Sequence, residues 1–274
     1  MEPGVFAIVM LAALLHASWN ALAKARGSVD AVAIAMGSGL LVLPVLPFVG
    51  LPAAASWTAL GASAAIHVLY FRLVVAVYRE GALSVAYPLM RGLPPLAVAL
   101  ATGLILGESP SALGWVAMLA VAAGVLLLAG EGFASRAANA RALILVAANV
   151  GVIIVYTTVD GLGVRASGAA PAYVCWLFVL SALALLPFGG IAALRSARAQ
   201  PGVLALGAAC TVGAYGLALW AMSQAPIALV AALREMSVVF AAIIGLLFLG
   251  ERFGALRWAA VALTAAGMIG IRYA

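Results

Sequence analysis

The sequence predicts an all-α polytopic membrane protein, with ten transmembrane helices arranged as two inverted five-helix repeats around a central cavity. Three observations carry that expectation. Hydrophobic residues fill 67% of the 274 positions and charged residues 8%, and the mean hydropathy is +1.24. A water-facing domain holds roughly 25% charge, so lipid must supply most of the solvent. The apolar residues also fall in long runs, and about 20 such residues cross the hydrocarbon core. Finally, the second half of the chain repeats features of the first at a fixed spacing.

Taken in order, the first run is 4–23, ending at Lys24 and Arg26. Its n-region carries Glu2 and no basic residue, and the run exceeds a signal-peptide core, so it reads as a retained helix. The second, 30–50, has Pro44 and Pro47 near its end; the third, 57–78, closes at Arg79 and Glu80. The fourth is 83–106, before Gly107 and Glu108, and the fifth is 111–129. Residues 131–141, EGFASRAANAR, form the longest polar stretch and read as a linker between a unit 1–130 and a unit 142–274. The remaining runs are 142–160, 170–188, 202–221, 226–249 and 255–272. Helices are expected because an open strand leaves its backbone unsatisfied in lipid. Barrel strands would be short and alternating.

An offset of 143 residues places Leu106-Gly107-Glu108 on Leu249-Gly250-Glu251, Trp115 on Trp258, Gly124 on Gly267 and Arg91 on Arg234. A weaker match at offset 140 places His16 and Asn20 on Tyr156 and Asp160. An odd number of helices per unit makes the second enter the membrane from the opposite face. Inverted repeats of this kind are an architecture of secondary transporters.

The net charge of +6 comes from scattered residues, which excludes the clustered patch of a nucleic-acid binder. Lys24, Arg26, Arg79, Arg136, Arg141, Arg195, Arg198, Arg252 and Arg257 fall on one side, against Arg165 and Arg272 on the other. The positive-inside rule then puts the first group in the cytosol and both termini outside. Cys175 and Cys210 have no metal-ligand spacing. No hydrolase, P-loop or zincin motif occurs, so neither an enzyme nor a cofactor or metal is expected.

Arginines within apolar spans are costly and usually face a cavity. Arg91 and Arg234 lie equally deep in the fourth and ninth spans, and suit an anionic or zwitterionic solute held bidentately. Substrate contact and structural pairing with Glu235 both remain open for them. Arg72, nearer a helix end, is expected to snorkel. Pro88, Pro94, Pro95 and Gly92 surround Arg91 and should break the fourth helix near the midplane, with Tyr87 on the Arg91 face. His16 and Asn20 share a face of the first helix; Ser63, His67, Tyr70 and Tyr78 share one of the third. Asn149, Tyr156 and Asp160 line the sixth, and Thr211 and Tyr215 the eighth. The second, fifth, seventh and tenth spans are nearly free of polar residues and are expected to form a lipid-facing outer set. Glu235 and His16 are candidates for proton coupling. Glu108 and Glu251 read as charges at the start of the following helix, with Glu108-Ser109-Pro110 as a cap.

Two five-helix units, each with Leu-Gly-Glu after its fourth helix and a Gly near the end of its fifth, resemble the EamA-type branch of the drug/metabolite transporter superfamily. The segments His16-Ala-Ser-Trp-Asn20 and Ala86-Tyr-Pro-Leu-Met-Arg-Gly92 are similar to patterns of one subgroup. The resemblance covers essentially the whole chain. It implies alternating access, a central cavity and export of small metabolites such as amino acids from a multi-pass protein of the cytoplasmic membrane. It also implies cytosolic termini, opposite to the charge count. Substrate-binding residues would be Arg91, Arg234, His16, Asn20, His67, Tyr70, Tyr87, Tyr156, Asp160 and Tyr215. The expected partners are a small-molecule solute, the bilayer and protons as a coupling ion, with the chain a monomer. The alternative is a multidrug exporter of lipophilic compounds.

Overall fold

The computed structural model describes residues 1–26, 31–80, 89–134, 139–248 and 254–274. Among them no strand occurs. The principal helices are α1 (Pro3–Arg26), α2 (Ala31–Val42), α3 (Trp57–Arg79), α4 (Pro94–Leu106), α5 (Ala112–Ala134), α6 (Ala140–Ala166), α7 (Ala170–Leu185), α8 (Pro201–Gln224), α9 (Ile227–Leu233), α10 (Met236–Phe248) and α11 (Ala255–Tyr273). Nine described segments are long and apolar enough to cross a membrane, α9 and α10 together supplying one of them; Ala112–Leu127 of α5 is a further, shorter apolar helix. Among the described residues the helices follow the expected runs to within a few residues, except that α6 runs on to Ala166; residues 83–88 of the expected fourth span lie outside the described residues.

The fourth and ninth spans are interrupted at corresponding places. Residues 89–92 are helical, the chain bends at Leu93, and α4 restarts at Pro94. Pro94 and Pro95 have no N–H, so the carbonyls four residues back, those of Met90 and Arg91, lose their intrahelical donors. The ninth span breaks at Arg234–Glu235, between α9 and α10, without a proline. There the backbone tightens to three-residue spacing, with Ser237 N donating to Arg234 O (3.1 Å) and Val238 N to Glu235 O (2.9 Å).

Helix packing obeys an exchange. Pairing α1 with α6, α2 with α7, α3 with α8, α4 with α9–α10 and α5 with α11 maps several of the largest contacts onto one another: α1–α8 onto α3–α6, α1–α10 onto α4–α6, α2–α8 onto α3–α7. The contacts α2–α7, α4–α9 and α5–α11 map onto themselves. At α5–α11 the correspondence reaches single residues. A Cβ on Gly124 would meet Thr264 N (2.7 Å) and Ala260 O (2.8 Å); one on Gly267 would meet Val121 N (2.8 Å) and Ala117 O (2.7 Å). Glycine is required at both, because the obstructing atoms include backbone. Close approach through small residues is how helices associate where water gives no driving force.

One end of the bundle, face A, is laced shut. Ala53 N donates to Ser167 O (3.1 Å), Trp176 Nε1 to Gly50 O (3.1 Å), and the Met1 amino group to Arg272 O (3.2 Å). Arg165, in the last turn of α6, clamps three elements at once. Its guanidinium donates to both Glu108 oxygens (2.5 and 3.3 Å), to Met222 O (2.8 Å) and to Ala225 O (2.9 Å). The Leu-Gly-Glu motif explains the reach of Glu108. Gly107 ends α4 at φ +68°, with Gly107 N on Gly103 O and Glu108 N on Thr102 O, and the chain turn delivers the next side chain to Arg165. This corrects the reading of Glu108 as a helix-start charge. The capping is done by Ser111 instead, whose Oγ accepts from Gly114 N (3.1 Å). Glu251 lies outside the described residues. At the opposite end, face B, Glu80 pairs with Arg141 (3.3 Å). Arg72 is exposed and lies over the Phe188 ring (5.5 Å), in keeping with a snorkelling position.

Candidate functional site

A cavity of about 140 Å³ opens inside the bundle. It is bordered by His16, Trp19 and Asn20 of α1, His67, Tyr70, Phe71 and Val74 of α3, and Met90 and Arg91 before α4. Asn149, Ile153 and Tyr156 of α6, Thr211 and Tyr215 of α8, and Arg234 complete the polar side. Each of these positions lies in the middle of its helix or in the half nearer face B. The cavity therefore reaches from mid-membrane toward face B and is floored on the face-A side.

Ile34 and Ala35 of α2, with Leu177, Phe178 and Ser181 of α7, form an apolar wall. The expectation that α2 and α7 belong to an outer, lipid-facing set is thus corrected. A wall that excludes water needs no polar residues, so their absence from a span does not mark it as peripheral.

Eight of the ten expected binding residues border the cavity: Arg91, Arg234, His16, Asn20, His67, Tyr70, Tyr156 and Tyr215. Tyr87 lies outside the described residues. Asp160 is not in the lining. It is fully buried beneath the floor, where its Oδ1 accepts from the Tyr173 hydroxyl (2.9 Å) and its Oδ2 from the Tyr215 hydroxyl (2.5 Å).

The two arginines differ in what surrounds them. Arg91 Nε lies 3.0 Å from Glu235 Oε2, with side chains only 15% and 6% exposed. The approach is off the N–H axis, so this is an ion pair rather than an aligned hydrogen bond. Arg91 Nη2 also donates to Ser237 Oγ (2.8 Å) and to the backbone oxygen of Arg234 (3.3 Å). Glu235 thus sits behind the Arg91 guanidinium rather than in the cavity lining. Arg234 has no such carboxylate. Its guanidinium lies over the Tyr215 ring, 5.1 Å from the centroid, and no described residue accepts a hydrogen bond from it. Two guanidiniums and one carboxylate leave one positive charge facing the cavity.

The remaining lining is aromatic and locally bonded. His67 packs against Tyr156 (4.7 Å between centroids), Tyr215 (6.0 Å) and Tyr70 (6.3 Å). Its Nδ1 is held by Ser63, at 3.1 Å from the hydroxyl and 2.9 Å from the carbonyl. Asn20 Nδ2 donates to His16 O (2.7 Å), and Trp19 Nε1 to His16 Nδ1 (3.4 Å). Buried Asn149 donates to Tyr70 O (3.4 Å), while its Oδ1 has no partner among the described residues. Tyr173, Ser237 and Arg165 were missed by the sequence reading. Tyr173 lies in an apolar run near a helix start, where a tyrosine ordinarily marks the membrane interface. Among the described residues no group of His, Cys, Asp and Glu is placed to hold a metal ion.

A bundle of apolar, membrane-length helices enclosing a charged cavity defines a polytopic membrane protein. Residues 141–273, just under half of the chain, match the model of the EamA-like transporter family, a membrane transporter family. A solved structure titled only "Crystal structure of protein" shares the fold, with a TM-score of 0.74 at 16% identity over 100% of this chain and 98% of that one. No curated protein sequence matches the chain.

Proposed function

We propose that the chain carries a small organic solute bearing one carboxylate-type anion, and in the simplest case an amino group as well, through this cavity by alternating access. The observation that carries the reading is Arg234. A guanidinium at mid-membrane without a carboxylate partner is costly, and its donor fork fits a carboxylate bidentately. The unpartnered Asn149 Oδ1 is an acceptor for an N–H on the same solute. Two inverted five-helix halves, 1–130 and 142–274, supply the alternation. In support, the helix contacts exchange in pairs, and Gly124 and Gly267 make reciprocal contacts at equivalent positions.

Charge supports an orientation. Face B carries the arginine-rich loops and is the cytosolic side under the positive-inside rule. A cavity on that side is accessible from the cytosol, and in the exporter reading of a cytoplasmic-membrane protein it is the loading side. Because both halves are in one chain, a monomer encloses the whole cavity.

The aromatic cluster around His67 favours a second reading, a multidrug exporter of flat lipophilic compounds. The uncompensated Arg234 opposes it for cations. Proteoliposome uptake from a metabolite panel tests the first reading. Arg234→Ala should lose uptake of each accepted anion by more than tenfold, with the protein still folded and inserted. Wild-type uptake of those anions by Arg234→Ala, or export of lipophilic cations by the native chain, would overturn it.

A further inference from the structure

We infer that Asp160 is a proton-binding site beneath the cavity floor, coupled through Tyr215 to the anion site at Arg234. The coupling half rests on the function proposed above; the proton site does not.

The surroundings of Asp160 carry the inference. Its carboxyl is completely buried, and both oxygens accept from phenol hydroxyls, Tyr173 on one and Tyr215 on the other. No described arginine or lysine pairs with it. From α3 it faces Ser63 and His67, from α7 Tyr173, from α8 Tyr215, and from its own helix Tyr156. The elements α4 and α9 bring nothing titratable, since neither contains an ionisable residue. A carboxylate buried this deeply without a cation exchanges its charge by taking up a proton.

Position makes the group useful. Asp160 stands between the cavity and the clamp made by Arg165, five residues further along α6. His67 borders the cavity and neighbours Asp160, so a proton has a short route in from face B.

The link to the solute is one side chain long. With Asp160 ionised, the Tyr215 hydroxyl is committed to Oδ2, which fixes the ring on which the Arg234 guanidinium lies. With Asp160 protonated, the acid O–H becomes a donor and that carboxyl oxygen no longer accepts from Tyr215 in the same way. The phenol must then turn or exchange roles, and the support under Arg234 changes. A proton on Asp160 and an anion on Arg234 therefore bias one another, and linkage requires the effect to be reciprocal.

Two measurements on the purified full chain in lipid nanodiscs test this. The first is pH-difference infrared spectroscopy without ligand. A protonated-carboxyl C=O band is expected that Asp160→Asn abolishes and Glu235→Gln leaves. If Asp160→Asn does not fold, Tyr173→Phe and Tyr215→Phe must each shift the band, as each removes one donor to the same carboxyl. A band untouched by all three substitutions overturns the proton site. The second measures the heat of benzoate binding in two buffers of different ionisation enthalpy. Net proton uptake is expected for the wild type and its loss in Asp160→Asn, with benzoate still bound. Equal proton uptake in both overturns the coupling. Failure of benzoate and of every other small carboxylate to bind the wild type defeats the anion reading and with it the coupling, and leaves the infrared result to decide the proton site.

Discussion

Replacing Glu108 by Gln should loosen face A without unfolding the protein. The Arg165–Glu108 pair is 26% and 29% exposed, midway between a surface and a buried ion pair. Exposed pairs contribute about 0.2–1 kcal/mol, and breaking a fully buried one costs about 3–5 kcal/mol. The amide keeps the shape of the acid, and Arg165 retains the carbonyls of Met222 and Ala225. A loss of roughly 1.5 kcal/mol follows, close to a tenfold change in an equilibrium between closed and open face A. Single cysteines placed at Ser109 and Ser223, labelled by a membrane-impermeant maleimide, read that equilibrium. Labelling should rise several-fold in Glu108→Gln, and rise further in Arg165→Gln, which also removes the donors to the carbonyls of Met222 and Ala225. Unchanged labelling in Glu108→Gln would show that the pair does not hold the face shut.

Other consequences follow from the same geometry. Arg91→Ala strands the Glu235 carboxylate, 6% exposed, and should cost about 3–5 kcal/mol; thermal unfolding in detergent should show much of that loss restored in Arg91→Ala/Glu235→Ala. Gly124→Ala and Gly267→Ala each push a methyl into the facing backbone and should each destabilise by about 1–3 kcal/mol. Their similar effects on the unfolding midpoint would reflect their reciprocal positions, whereas a neutral result at either would show that α5 and α11 part easily.

The helices were legible because lipid enforces long apolar runs, and a charge within such a run is conspicuous. That is why Arg91, Arg234 and Glu235 could be singled out, and why the structure finds Arg91 and Glu235 in contact. Pro94 and Pro95 announced the break in the fourth span. The break at Arg234–Glu235 has no proline, and the sequence reading did not expect it. What pattern could not supply was distance. Arg165 and Glu108 are 57 residues apart, and each alone looks like a loop charge. Asp160 read as a cavity residue because it shares a helix face with Tyr156. Helix spacing gives direction around an axis, but not whether a neighbour's tyrosine closes over the group. The cavity walls of α2 and α7 were invisible for the opposite reason, since apolar lining and lipid-facing surface have the same composition.

Arg91 is anchored partly to main chain, through the backbone oxygen of Arg234 at the break between α9 and α10. A side chain can swing aside, whereas a carbonyl moves only with its helix. The two interrupted spans are therefore pinned together at their weakest points, and a tilt of one must drag the other. In the proposed transport cycle, an anion held by Arg234 would act on the same joint that anchors Arg91.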